Sequence, residues 1–370
     1  MIGSVENRGR RVSGGARLAE VAAGGKPALA RALAAIERSS QRPGGDPEIA
    51  ALLDAALAAP RAHLIGLTGP PGVGKSTLTD ALIRRLAGQG AKETVTETTT
   101  AAARGVAAGT AARAADGRHP RSGGRAGQTV GVIAVDPSSK RSGGALLGDR
   151  TRIARDPQDD RVFMRSMAAR DRLGGLAELT FPAAVLMGAL KDVVIVETVG
   201  VGQSETDIAD VADTVVFCAQ PGSGDALQFM KAGVMEIPDV VLVTKADLGA
   251  IADRTVSDMT GALSLATGEG AGRDVRVLAC SASTGSGMDA VAALLAERAR
   301  ATAVGRAARR RAQATRWLQA ALLAEFGRWG LRAAARITDE GGESSPFARH
   351  AALRQNLETA LSRALDAPEL

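Results

Sequence analysis

Aromatic residues are scarce in this chain, which has two Trp, six Phe and no Tyr among 370 residues. Because 45% of the residues are hydrophobic and only 2% are aromatic, Ala, Val, Leu and Ile must form most of the core. Such a core suits helices packed on a parallel sheet. The basic residues are also not interleaved with rings on which bases could stack, which argues against a nucleic-acid surface.

Cysteine and histidine are nearly as rare, with two Cys and three His. Cys218 and Cys280 lie far apart and form no Cys-x-x-Cys pair, which argues against a disulfide framework or a structural zinc site. A nickel or cobalt metallochaperone would need a Cys/His site that is missing here. No apolar run approaches the roughly 20 residues of a membrane span, and the N-terminus has no signal-peptide pattern. We therefore expect a cytoplasmic protein without a membrane partner.

Lysine is scarce although the chain is basic, since only seven of the 46 basic residues are Lys and the net charge of +6 rests on Arg. The arginines are spread over the whole chain and do not mark a single basic patch. We therefore expect no nucleic-acid partner.

Short apolar strands alternate with helical patterns in residues 61–297, which predicts an α/β fold with three layers and a mainly parallel sheet. A low-complexity stretch at 90–128 interrupts this region, and we interpret it as a disordered surface insertion on the side away from the nucleotide. The predicted strands are His63–Thr68, Thr129–Val135, Arg161–Arg165, Val193–Glu197, Thr214–Ala219, Val240–Thr244 and Arg276–Ala279.

Helical extensions flank this α/β region. In residues 1–60, Ala28–Arg38 and Pro47–Ala58 carry helical spacing, and Asp46 stands before Pro47 as an N-cap. Residues 298–370 are predicted to form a basic amphipathic helical arm that packs on the core or on a second subunit. Binding of its Arg309–Arg311 run to acidic lipids or nucleic acid is the alternative.

The clearest motif is Gly69–Thr77, which matches GxxxxGK[ST] between a predicted strand and a helix and predicts that the three-layer α/β fold is that of a P-loop NTPase. In such a P-loop, backbone N–H groups surround a phosphate, Lys75 reaches the β- and γ-phosphate oxygens, and Ser76 ligates Mg²⁺. A glycine-rich turn with a chance lysine is the alternative. The predicted nucleotide-binding residues here are Gly69, Pro70, Gly72, Val73, Gly74, Lys75, Ser76 and Thr77.

Carboxylates at strand ends are candidates for a magnesium site, because Mg²⁺ prefers anionic oxygen. Asp136 follows a strand and could otherwise cap a turn, while Asp149 lies in a glycine-rich loop. Glu197 ends an apolar strand three residues before Gly200, which is the Walker B and switch II arrangement, with Glu in place of the commoner Asp. Lys75, Glu197 and Gly200 are the predicted catalytic residues. Gln203 does not directly follow Gly200, so the residue that positions water stays open.

Two further segments predict a guanine base site. Thr244-Lys-Ala-Asp247 resembles the NKxD motif of GTPases, in which the Asp accepts the ring N–H and the amino group of guanine, a pairing that adenine cannot make. Thr replaces the usual Asn, which puts one structural hydrogen bond in question. The next strand is followed by a Ser-Ala-Ser segment, as in the SA loop of GTPases. The predicted base-site residues are Thr244, Lys245, Asp247, Ser281, Ala282 and Ser283.

The full motif set resembles the MeaB/ArgK family, the methylmalonyl-CoA mutase-associated P-loop GTPases of the SIMIBI class, over roughly residues 61–300. The segments that carry the resemblance are Asp136-Pro-Ser-Ser, Ser142-Gly-Gly, Gly148-Asp149, Leu173-Gly-Gly, Glu197-Thr-Val-Gly-Val-Gly-Gln-Ser-Glu205 and Gly222-Ser-Gly-Asp-Ala-Leu-Gln228 with Lys231. The departures are the 90–128 insertion, Thr244, and Met164–Arg170 in place of an Arg-Pro loop.

This resemblance implies a homodimeric GTPase that acts as a chaperone for an adenosylcobalamin-dependent acyl-CoA mutase, gates cofactor loading and protects the mutase. It implies that Ser76, Asp136, Asp149 and Glu197 surround Mg²⁺, with GTP as the substrate. It also implies a third, partner-sensing switch that contains Gly222, Asp225, Gln228 and Lys231. A P-loop kinase or ATPase acting on a small molecule or protein is the alternative, and a non-enzymatic binding module is another.

Overall fold

The computed structural model describes residues 13–88, 127–136, 159–168, 176, 179–198, 207–222, 237–267, 275–336 and 345–365. Seven strands form one sheet in the order β3-β2-β4-β1-β5-β6-β7, and all the neighbouring strands are parallel. The predicted α/β fold is confirmed. The strands are β1 His63–Thr68, β2 Val130–Asp136, β3 Val162–Ala168, β4 Val193–Glu197, β5 Thr214–Ala219, β6 Val240–Val243 and β7 Arg276–Ala279.

Three of the strands have boundaries that differ from the prediction. β2 is shifted by one residue, β3 runs to Ala168 where the prediction ended at Arg165, and β6 ends at Val243. The extension of β3 follows from its pairing, because β2 and β3 stay in register up to Asp136 opposite Ala168. Ser166, Met167 and Ala168 are too few to give a strand pattern of their own, so the partner strand decides where β3 ends.

Helices cover both faces of the sheet and extend beyond it. Asp46 caps the third helix as predicted, accepting a hydrogen bond from the Glu48 backbone N–H at 3.0 Å, with Pro47 in the first turn. The last long helix before the C-terminal one is broken at Gly327, whose φ is 61°. The helices are α1 Gly14–Ala23, α2 Gly25–Ser40, α3 Pro47–Ala58, α4 Lys75–Leu86, α5 Thr180–Leu190, α6 Ala250–Thr267, α7 Met288–Ala303, α8 Arg306–Arg336 and α9 Pro346–Leu365.

The two faces of the sheet bury separate apolar layers. Alternate residues of β1 show this, since Leu64 packs with α3 and α5 while Ile65 and Leu67 pack with α4 and α7. The layer that contains Leu64 also includes Ala314 of α8 and Phe347 of α9. The N-terminal helices and the C-terminal arm therefore share one core with the sheet. α7 spans the domain boundary that the sequence placed at residue 297.

The predicted insertion leaves and rejoins the fold at the far end of α4. Gly88 and Gly127 lie side by side, because a Cβ added at Gly88 would lie 3.4 Å from the Cα of Gly127. The backbone N–H of Gln128 donates to the Leu86 carbonyl at 2.9 Å. Both ends of the insertion therefore lie at the C-terminal end of α4, about 18 Å from the end that begins at Lys75. Residues 89–126 lie outside the described ranges.

A buried ion pair fixes the C-terminal arm to the sheet. Arg310 of α8 is 2% exposed and donates to the Asp213 carboxylate at 2.8 Å and to the Val211 carbonyl at 2.8 Å. Asp213 also accepts the Leu64 backbone N–H at 2.9 Å. Gln313 donates to the Ala212 carbonyl and accepts from Arg310. Part of the predicted basic run is thus an internal anchor, as the core-packing interpretation of the arm requires.

Both cysteines are free and buried. Burial raises the pKa of the Cys218 thiol to about 12 and that of Cys280 to about 11. Within the described ranges, no group of three or more His, Cys, Asp and Glu side chains is arranged to hold a metal ion. Among the same residues, no helix has both the length and the apolarity that a membrane crossing requires.

Candidate nucleotide-binding site

The P-loop connects the C-terminal end of the central strand β1 to the first turn of α4. Three of its glycines have positive φ, which is 135° at Gly69, 75° at Gly72 and 100° at Gly74. Gly69 also lies against β5, since a Cβ there would stand 2.3 Å from the Cys218 carbonyl oxygen. A side chain at Gly69 would therefore clash with backbone, while glycine lets the loop fold tightly over the strand ends.

The N-terminus of α4 offers donors to an anion. Its N-cap, Gly74, provides no side-chain hydrogen bond, so the first backbone N–H groups of the helix are not capped by that residue. Lys75 is 7% exposed, and its ammonium donates to the carbonyls of Gly69 at 2.8 Å and Pro70 at 3.0 Å. The cation is thus held inside the loop, and both features suit a phosphate group.

Hydroxyl and carboxylate oxygens meet beside the P-loop. Ser76 donates to Glu197 Oε1 at 2.7 Å, and Thr79 donates to Glu197 Oε2 at 3.1 Å. Glu197 is 5% exposed at the end of β4, whose neighbour β1 leads into the P-loop. Mg²⁺ prefers oxygen ligands and is usually bound by one or two carboxylates. The hydroxyl of Ser76 and the carboxylate of Glu197 therefore suit the predicted magnesium ion.

Several other predicted site residues lie outside the described ranges. Asp136 ends β2 beside β4, with Ala134 paired to Glu197, so its backbone is at the expected edge although its side chain is not described. Gly222 is described, and its N–H donates to Thr255 of α6 at 3.3 Å. Those outside are Asp149, Gly200, Gln203, Asp225, Gln228 and Lys231.

Thr244 joins the base loop to the P-loop. Its hydroxyl donates to the Val73 carbonyl at 2.7 Å and lies 3.1 Å from the Ala219 carbonyl at the end of β5. A hydroxyl at this position therefore makes a hydrogen bond between the base loop and the P-loop. Lys245 has a φ of 53° and donates to the Gly72 carbonyl at 3.2 Å and to Gln220 Oε1 at 3.0 Å.

The second base segment holds the aspartate of the first. Ser281 donates to Asp247 Oδ1 at 2.6 Å, and Ser283 lies 2.9 Å from the Ser281 hydroxyl. The Ser281 hydrogen bond lowers the pKa of Asp247. The Ala246 N–H donates to the Cys280 carbonyl at 3.1 Å, which aligns the two loops and brings Ala282 to the same edge. An ionised Asp247 is the form that accepts two N–H groups from guanine.

The sequence interpretation missed two contacts, those of Thr79 and Gln220. Thr79 lies three residues after Ser76, so its position on the same helix face could have identified it. Gln220 follows β5 directly, and nothing in its sequence context marks it as a partner of Lys245.

Comparisons with known proteins show to which family the chain is related. The family model described as "Methylmalonyl Co-A mutase-associated GTPase MeaB" matches residues 29–109 and 122–326. A Caulobacter vibrioides protein named a GTPase is 37% identical over 305 residues, which are 80% of this chain and 81% of that protein. A Pyrococcus horikoshii protein named a GTPase is 46% identical over 205 residues, 55% of this chain. Its alignment spans only 53% of the Pyrococcus protein, about half its length.

Two further likenesses are more distant. "Methylmalonic aciduria type A homolog, mitochondrial" of Mus musculus is 34% identical over 232 residues, 62% of this chain and 47% of that protein. The crystal structure of an LAO/AO transport system kinase has a TM-score of 0.57 at 24% identity and covers 96% of this chain and 100% of that one, which is a likeness of fold alone. Because the family model covers well over half of the residues, the chain belongs to the MeaB family of methylmalonyl-CoA mutase-associated GTPases.

Proposed function

We propose that this protein binds GTP with Mg²⁺ and hydrolyses it. The observation that carries the proposal is the hydrogen bond from Thr244 to the Val73 carbonyl, which joins a guanine-type base loop to the P-loop. The Asp247 carboxylate that Ser281 holds favours guanine over adenine, because it matches the two N–H groups of guanine.

The residues divide the work between binding and charge stabilisation. Backbone N–H groups of the P-loop and the Lys75 ammonium bind the phosphates, and Asp247 orients the base. Ser76 and Glu197 would hold Mg²⁺ with Asp136 and Asp149, and the ion would neutralise charge on the phosphate oxygens. The Gly200 N–H would approach the γ-phosphate. Our proposal assigns no residue to the positioning of water.

Substituting Asp247 with Asn tests the base site. The amide cannot accept both guanine N–H groups, so we expect GTP affinity to fall at least about 100-fold, with xanthosine triphosphate becoming the preferred ligand. Fluorescent nucleotide competition with GTP, ATP and xanthosine triphosphate measures the change. Asp253→Asn, the same substitution at an exposed site in the first turn of α6, is the control and should leave affinities unchanged. Retention of GTP preference by Asp247→Asn would contradict this role.

We also propose that an adenosylcobalamin-dependent acyl-CoA mutase is the partner, and that the protein is a cytoplasmic homodimer that gates cofactor loading and protects the mutase. The family description and the name of the Mus musculus relative support this proposal. Gly222, Asp225, Gln228 and Lys231 are the proposed partner-sensing residues.

A pull-down from native lysate tests the partner. With a GTP analogue or GDP bound, followed by mass spectrometry, we expect a cobalamin-dependent mutase whose recovery differs between the two states. The isolated protein should hydrolyse GTP slowly, and the recovered mutase should accelerate it by ordering the switches. Recovery of no such mutase in either state, or a fast rate that the mutase leaves unchanged, would contradict the chaperone role.

A further inference from the structure

The Glu197 carboxylate is held at both oxygens by two hydroxyls from one helix. Ser76 lies in the first turn of α4 and Thr79 one turn later, so they share a helix face. The two bonds, 2.7 Å to Oε1 and 3.1 Å to Oε2, join this face to the end of β4. Thr79 is 0% exposed, so water does not compete for its hydroxyl. Ser76 belongs to the predicted magnesium site, and Thr79 has had no assigned role.

The Thr79 hydrogen bond differs in direction from those of five other helical threonines among the described residues. A threonine inside a helix commonly donates to the carbonyl four residues earlier. Five others do so here, and Thr79 instead donates to a side chain of the sheet. The five are Thr255, Thr260, Thr302, Thr315 and Thr359.

The identity of the strand-end acid explains why a second donor is useful. Glutamate has one methylene and one rotatable bond more than the aspartate commoner at this position, so its carboxylate reaches further along α4 and has more rotamer freedom. A hydrogen bond to one oxygen still lets the group pivot about its last bond. A second bond to the other oxygen fixes the carboxylate plane.

We infer that Thr79 is a positioning residue for the magnesium site, and that it compensates for the longer side chain of Glu197. By holding Oε2, it keeps Oε1 against Ser76, at the end of the carboxylate nearest the P-loop. The inference rests on the proposed Mg²⁺- and GTP-binding function. It requires the Thr79 hydroxyl, and it does not require the Thr79 methyl group.

Two substitutions separate the hydroxyl from the packing. Thr79→Val keeps the shape and removes the donor, while Thr79→Ser keeps the donor and removes the methyl. The readout is the affinity for a fluorescent guanine nucleotide as Mg²⁺ is titrated, with a matched series in chelator. For Thr79→Val we expect the half-saturating Mg²⁺ concentration to rise about tenfold, the order of one hydrogen bond to a charged group. Affinity in chelator should change less than about twofold, and Thr79→Ser should match wild type.

Two more variants complete the test. Thr260→Val removes an exposed helical hydroxyl that bonds to its own helix, and it should leave the Mg²⁺ titration unchanged. Glu197→Asp withdraws the carboxylate from Thr79, so adding Thr79→Val to it should have no further effect. Thermal unfolding of each variant checks that the fold is intact.

The outcomes distinguish the two levels of the proposal. If wild type shows Mg²⁺-dependent guanine nucleotide binding and Thr79→Val titrates like it, the positioning role is wrong and the proposed function stands. The same conclusion follows if Thr79→Val has its full effect in the Glu197→Asp background. A wild type without Mg²⁺-dependent guanine nucleotide binding overturns the proposed function, and the role of Thr79 with it.

Discussion

Replacing Lys75 with Ala lowers GTP hydrolysis about 100- to 1000-fold, the range for removing one charge-stabilising donor from a phosphoryl or acyl transition state. The ammonium lies inside the P-loop, 2.8 Å from the Gly69 carbonyl, so the substitution removes a positive charge from the phosphate site itself. The measurement is phosphate release at saturating GTP and Mg²⁺. The loss should appear in turnover as well as in nucleotide affinity, because the charge on the β- and γ-oxygens grows in the transition state.

The controls for this experiment use other lysine changes. Lys75→Arg keeps the charge but not the compact ammonium, so we expect partial activity between those of Lys75→Ala and wild type. Lys26→Ala, on the remote helix α2, should hydrolyse GTP at the wild-type rate. Because Lys75 is buried, circular dichroism must show that Lys75→Ala is folded. A folded Lys75→Ala with more than a tenth of wild-type turnover would contradict the assignment.

Replacing Arg310 with Ala destabilises the protein by about 3–5 kcal/mol, the cost of leaving a buried charge without its partner. The Asp213 side chain is 0% exposed and would keep only the Leu64 N–H and the more distant Arg309, 3.6 Å away. Equilibrium unfolding in urea measures the loss. The loss of stability should appear as a lower urea concentration at the unfolding midpoint.

Arg316→Ala is the matched control on the same helix. Arg316 pairs with Asp210 at 2.5 Å, but both side chains are about half exposed, at 48% and 56%. An exposed pair contributes about 0–1 kcal/mol, so its removal should barely move the midpoint. Equal shifts for the two variants would show that burial does not set the strength of the Arg310 contact. Restoration of most of the stability by an apolar pair at 213 and 310 would be consistent with the expected origin of the loss.

Local patterns were enough to predict the sheet and the phosphate loop. Each strand is a short apolar run, and Gly69, Gly72 and Gly74 stand where the backbone needs positive φ, so the information lies within a few residues. α1 was less visible, because Gly14 and Gly15 weaken its helical pattern. Gly14 lets α1 pack closely on α3, because a Cβ at this position would lie 2.1 Å from the Ala51 carbonyl oxygen.

Contacts between distant segments could not be predicted in this way. Arg309, Arg310 and Arg311 are the same residue type in sequence, yet successive helix positions point about 100° apart, so Arg310 hydrogen-bonds to Asp213 at 2.8 Å while Arg309 stays 3.6 Å away. Which one does so depends on how α8 sits on the sheet. The contact of Thr79 with Glu197 spans 118 residues and is fixed only when α4 packs on β4.

The Arg310–Asp213 pair also bears on how the chain is made. Asp213 lies directly before β5, next to β1. The guanidinium that pairs with it, on Arg310, comes 97 residues later in the sequence. During synthesis, the strands and the whole P-loop leave the ribosome before that cation does. The Asp213 carboxylate of the nascent nucleotide domain therefore lacks its Arg310 partner until α8 emerges. The C-terminal arm then completes the folding of the nucleotide domain.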